Sequence, residues 1–170
     1  MSKAFTREES DGPDLPDLPP RPSTLPAGTR NYITAAGAEQ LREELLYLTG
    51  EKRPALVAAA GDPEAKRQLA TLDQRIYQLE QSLQSSEIVP APEGEAEVVR
   101  FGATVTVRES NGEESTYRIV GADETDFERG WVSWLSPIAR ALLNTKLGGR
   151  VRFKFPSGEE ELQVMAIRYE

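Results

Sequence analysis

Leu69, Leu72, Ile76, Leu79 and Leu83 follow one another at spacings of three, four, three and four. A helix returns side chains to one face at that interval, and a run this regular makes the a/d seam of a coiled coil. Charged and amide residues (Arg67, Gln68, Asp73, Gln74, Arg75, Gln78, Glu80, Gln81) fill the positions between. Such a seam needs a second helix, and the chain supplies one just upstream. Leu41, Leu45 and Leu48 share a face of a helix that starts after Thr34, a good N-cap. Pro54 is expected to kink that helix or end its first part. Between the helices, Gly61 can end the first, Asp62 can cap the second, and Pro63 fits its first position. So short a link makes the two helices antiparallel neighbours. Residues 31–89 are therefore predicted to form an antiparallel α-helical coiled-coil hairpin.

Beyond Ile88 the periodicity changes. Pro90, Pro92 and Gly94 mark a linker, and Val105 and Val107 then alternate with Thr104, Thr106 and Arg108. Asn111-Gly112 is a tight-hairpin signal, with Tyr117, Ile119 and Val120 on the return strand. Trp131, Val132 and Trp134 suggest a further strand. Ser136-Pro137 opens a short helix with Ile138, Ala141, Leu142 and Leu143 on its apolar face, and Gly148 is expected to close it. Val151, Phe153 and Phe155, then Pro156-Ser157-Gly158, then Leu162, Val164 and Ala166 give a second hairpin. Residues 90–170 thus read as a small β domain with one short helix, and the whole chain as α+β.

Residues 1–30 hold half of the prolines and many acids but few large apolar side chains, and are expected to be a disordered tail. The 170 residues carry a net charge of -8, which argues against a protein that simply coats nucleic acid. Without Cys or His, thiolate and imidazole metal sites and His-based catalysis are excluded. No apolar run suits a signal peptide or a bilayer span, so the expected compartment is the cytoplasm.

Several strings together resemble the Gre factors, and the GreB branch most closely. They are Asn31-Tyr32-Ile33-Thr34, Glu44-Leu45, Tyr47-Leu48, Arg53-Pro54, Gly61-Asp62, Leu72-Asp73-Gln74-Arg75-Ile76 and Ile88-Val89. In the second domain they are Phe101-Gly102-Ala103, Tyr117-Arg118-Ile119-Val120-Gly121 and Ser136-Pro137-Ile138-Ala139-Arg140-Ala141-Leu142-Leu143. The resemblance implies an FKBP-like second domain that docks at the rim of the RNA polymerase secondary channel. It implies a coiled coil that enters the channel and brings two tip carboxylates to the polymerase active site. There they help hold Mg²⁺ and orient a water, and the polymerase cleaves backtracked RNA. The factor is then no enzyme, only a stimulator of the polymerase's own cleavage. It has no cofactor or metal of its own, Mg²⁺ entering only if the tip reaches the active site. Its partner is RNA polymerase, with nucleic acid met only through that complex, and a monomer is favoured.

The tip departs from this pattern. Asp62 matches the first carboxylate, but the second position is Ala65, and Glu64 stands one residue early, about 100° away around a helix. Each arm is also shorter by roughly six or seven residues, which withdraws the tip by on the order of 10 Å. Asp62 and Glu64 are therefore weak catalytic candidates, with helix capping and the helix dipole as their plainer roles. Lys52, Arg53, Lys66, Arg67 and Arg75 form a candidate basic flank, or a solvated face. The resemblance puts polymerase binding at Ser136, Pro137, Ile138 and Arg140, with Trp134 beside them. The expected function is modulation of transcription elongation at the secondary channel with weak or no cleavage stimulation. The alternatives are an active GreB-type cleavage factor and a short-hairpin regulator of the Rnk kind. A peptidyl-prolyl isomerase would need an aromatic-lined proline pocket, which the scattered Phe and Trp residues do not assemble.

Overall fold

The computed structural model describes residues 25–170. Most of the expected tail lies outside the described residues. Its last part turns at Pro26–Thr29, where Thr29 N–H donates to Pro26 O at 3.1 Å, and Arg30 then pairs with Glu87 at 3.3 Å.

A short strand, β1 (Asn31–Ile33), leads into α1 (Ala35–Tyr47), a π turn (Leu48–Lys52) and α2 (Arg53–Ala58). The chain reverses at residues 59–62 and returns along α3 (Pro63–Ser85) into β2 (Ser86–Ile88). Thr34 caps α1 as expected, its hydroxyl accepting from Gly37 N–H. The outgoing and returning arms run antiparallel, since Asn31 lies opposite Ser86, Glu44 meets Arg75, and Arg53 meets Asp73. Between them Leu41, Leu48, Leu72, Ile76 and Leu79 are buried with Ile33 and Ala38, and Leu45, Leu56 and Leu83 pack on this cluster. The outermost seam residue, Leu69, is half-buried.

Regular α-helix breaks off near Pro54, as expected. The departure from α geometry comes just before it, where Arg53 N–H reaches back to Leu48 O. The seam explains why. Leu41, Leu45 and Leu48 would continue at positions 52 and 55, but the next leucine is Leu56, one residue late. A π turn takes up one extra residue, so Leu56 regains the face it would otherwise miss. Pro54 then falls in the first turn of α2, where its missing N–H does least harm.

The root of the arm holds a second feature that the local sequence pattern does not announce. β1 and β2 pair in parallel, and Val89 N–H donates to Ile33 O at 2.9 Å, so the two ends of the arm are tied together.

The sheet region comprises β3 (Ala103–Arg108), β4 (Glu114–Val120), β5 (Trp131–Ser133), β6 (Arg150–Phe155) and β7 (Gly158–Tyr169), in the order β5-β4-β3-β7-β6. Both expected hairpins are present, and Gly112 takes the positive φ of +89° that the first turn demands. β5 runs parallel to β4, the crossover containing a 3₁₀ turn at Ala122–Glu124. A register shift between Thr106 and Val107 lets the long β7 bend across β3. Alternation sends Val105, Val107, Ile119, Leu162 and Val164 to one face. There α4 (Pro137–Leu142) adds Ala139 and Leu142. The helix stops at Leu142, and Asn144 takes the left-handed conformation (φ 68°). Gly148, expected to close it, lies further on in the turn to β6, donating to Val164 O at 2.8 Å. Asn tolerates that backbone because its short amide fits where a bulkier side chain does not.

Candidate functional site

At the far end of the arm, Asp62 has the extended backbone of an N-cap, and its carboxylate accepts from Glu64 N–H at 3.1 Å. Glu64 occupies the first turn of α3, where a negative charge meets the positive end of the helix dipole. It accepts from Gln68 Nε2 at 3.2 Å and faces Arg67 at 3.9 Å. Both carboxylates are exposed and locally engaged. Ala65 is only 5% exposed, so the position three residues after Asp62 packs inward and presents no carboxylate at the tip. Among the described residues no group of three or more acidic side chains gathers as a metal site would require.

The candidate basic flank divides. Arg53 is bound to Asp73 at 2.7 Å, and Arg75 grips Glu44 through two bonds of 2.8 and 2.7 Å. These hydrogen bonds hold both guanidinium groups above their usual range. Lys52, Arg67 and Arg75 converge with Glu44 and Glu64 around a cleft of about 440 Å³ on the arm. Arg53 and Lys66 do not line it. The cleft therefore mixes charges of both signs and presents no uniformly cationic wall.

In the sheet region, Ser136 caps α4 by accepting from Ala139 N–H at 3.3 Å. Pro137 and Arg140 are exposed, and Ile138 is half-buried. These four share one short stretch, in which Ile138 packs against the sheet core while Pro137 and Arg140 face solvent. Trp134 has a different neighbourhood. Its ring lies 5.0 Å from that of Tyr32, which in turn sits 6.0 Å from Phe101. Trp134 thus joins the root of the arm to the sheet region.

That junction contains two residues the sequence analysis did not single out. Glu124, in the 3₁₀ turn, accepts from Thr34 N–H at 2.9 Å and from Gly121 N–H at 2.8 Å, and also bonds the Thr34 hydroxyl. Asp123 beside it accepts from Asn31 Nδ2 at 3.2 Å and from the Ser82 hydroxyl. One signal for Glu124 was present. Thr34 has Gly37 at the third helical position, where a capping box would carry Glu or Gln.

Comparison with known proteins finds relatives over most of the chain. Residues 93–169 match the family model described as transcription elongation factor, GreA/GreB, C-term. The transcription elongation factor GreB of Neisseria meningitidis serogroup A is 36% identical over 155 residues, spanning 83% of this chain and 95% of the relative. The transcription elongation factor GreA of Alkalilimnicola ehrlichii is 38% identical over 152 residues, spanning 81% and 96%. Among solved structures, Thermus aquaticus Gfh1 superposes with 27% identity, covering 82% of this chain and 99% of that one, at a TM-score of 0.40. At such identity over nearly the whole length of the curated relatives, the chain belongs to the GreA/GreB family of transcription elongation factors.

Proposed function

We propose that this chain docks on RNA polymerase at the secondary channel and modulates elongation while contributing little or no stimulation of RNA cleavage. In this reading residues 31–89 are a coiled-coil arm and residues 90–170 an FKBP-like docking domain. Ser136, Pro137, Ile138 and Arg140 face the polymerase. The protein is a regulator rather than an enzyme, acts as a monomer in the cytoplasm, and meets nucleic acid only through the polymerase.

The observation that carries the cleavage part is the state of the tip. Its Asp62 carboxylate caps α3, and the position three residues on is a buried alanine. A water-activating Mg²⁺ site needs convergent acidic oxygens. The reach estimated from the sequence is short by on the order of 10 Å, whereas reacting groups must be placed within about an ångström. The competing reading, an active cleavage factor using Asp62 and Glu64, draws support from the exposure of both carboxylates.

Stalled, backtracked polymerase complexes separate the two. The expected result is binding that competes with a long-armed Gre factor, RNA cleavage close to the polymerase's intrinsic rate, and no change on Asp62→Ala. Strong cleavage abolished by Asp62→Ala establishes the second reading instead. Failure of the full chain to bind polymerase rejects both.

A further inference from the structure

We infer that Glu124, seconded by Asp123, is a positioning residue that fixes the direction in which the helical arm leaves the sheet region. In an ordinary capping box, the N-cap hydroxyl accepts from the N–H at the third helical position, and a Glu at that position reaches back to the N-cap N–H. Here the first half is intact, with Gly37 N–H donating to Thr34 Oγ1 at 2.9 Å. The second half comes from elsewhere in the chain. Glu124 Oε2 accepts from Thr34 N–H at 2.9 Å across 90 residues of sequence. The same oxygen accepts from Gly121 N–H at 2.8 Å, closing its own 3₁₀ turn. One carboxylate therefore completes two caps, one in each part of the molecule.

Three further observations show that the seat is built for this group. A Cβ at Gly37 would collide with the Glu124 carboxylate, so the side chain missing from α1 is what makes room. A Cβ at Gly121 would collide with Tyr32 O and crowd the same carboxylate. Asn31 and Thr34 are 6% and 8% exposed, so these bonds are shielded from competing water. Asp123 supplies a second point of attachment, to Asn31 of β1 and Ser82 of α3, and so holds both strands of the arm at its root. Two separated attachments restrict rotation where one would leave a pivot. A family member that presents an arm to a partner while docking through another region needs that angle set in advance. This functional half of the inference rests on the reading above, whereas the orientation itself does not.

The chain has no cysteine, which makes spin labelling clean. Labels at Tyr77→Cys on α3 and Phe127→Cys in the sheet region, both well exposed, report the distance between the two parts in the full-length free protein. The unaltered junction is expected to give one narrow distance. Glu124→Ala is expected to lose it in favour of a broad distribution, and Asp123→Ala with Glu124→Ala to broaden it further. Gly37→Ala is the sharper test. Alanine is the better helix former, yet here it must evict the flexible end of Glu124. It too is expected to broaden the distance, and it decides the matter if Glu124→Ala fails to fold. Combining Glu124→Ala with Gly37→Glu restores a cap from within α1. A merely structural cap would be rescued by that change, whereas the loss of orientation would persist. A narrow distance unchanged in Gly37→Ala, or restored in the double variant, overturns the inference. On polymerase, the loosened variants are expected to keep docking but lose about tenfold in arm-dependent effect, as when a competent orientation becomes a minor one. No docking by the unaltered protein rejects the functional reading and leaves the distance result standing.

Discussion

Both parts of the molecule bury apolar residues almost completely, Val105, Val107, Ile119, Leu142 and Val164 in the sheet region and Ile33, Ala38 and Leu79 in the arm, but the arm's seam runs out to a half-buried Leu69. The sheet core joins strands far apart in sequence, β3 lying between β4 and β7, so every element depends on several others. The arm is a repeating seam in which each leucine depends on near neighbours. A structure of the second kind can lose a heptad and keep the remainder, while one of the first kind cannot lose a strand. A shortened arm of the kind proposed for this chain is therefore still able to fold.

The largest test of this contrast is Leu142→Ala, which opens a cavity in the fully shielded core and is expected to cost about 2 to 5 kcal/mol. Urea unfolding followed by the fluorescence of Trp131 and Trp134 reads it. Leu69→Ala at the half-buried end of the seam is expected to cost about 1 kcal/mol or less. Equal losses would erase the comparison. Next comes Tyr169→Phe, expected to cost about 1 kcal/mol in the same assay. The Tyr169 hydroxyl donates to Val98 O at 2.7 Å and accepts from Arg100 N–H at 3.0 Å, and its burial raises its pKa. Arg75→Ala removes the paired bonds to Glu44 in the arm. Both partners are roughly two-fifths exposed, so solvent screening limits the loss to about 0.5 to 1 kcal/mol, smaller still in high salt.

The smallest effect is expected at Glu160. Partial burial, with Glu109 and Glu113 nearby, pushes its carboxyl above the usual range. A carboxyl raised on folding favours the native state at low pH, and that contribution disappears as pH rises through its folded value. Glu160→Gln is therefore expected to raise the melting temperature slightly at neutral pH and to flatten its rise on acidification. A fall at neutral pH would contradict the sign.

What the sequence disclosed was local. The helix carrying Leu69 to Leu83, the Asn111-Gly112 turn and the Ser136 cap each rest on residues close together in the chain, and each formed as expected. The β1–β2 pair, the tilted contact of Trp134 with Tyr32, and the bonds of Asp123 and Glu124 join residues dozens of positions apart. Nothing in the local pattern around Asp123-Glu124 distinguishes it from an exposed acidic turn. At Pro54 the chain departs from regular α-helix as expected, but the form of the departure, a π turn, answers the spacing of Leu48 and Leu56 along the seam.

The π turn at Leu48–Lys52 gives the arm a slack link. Dropping one residue from it, Gly50 for example, would let the segment relax to α geometry with Leu48 and Leu56 still on the same face. The same loss in the middle of α1 would swing everything beyond it by about 100° and strand the outer leucines in water. An arm carrying such a link can shed that one extra residue without losing phase with its partner, and its tip stays at nearly the same distance because both forms span about two turns.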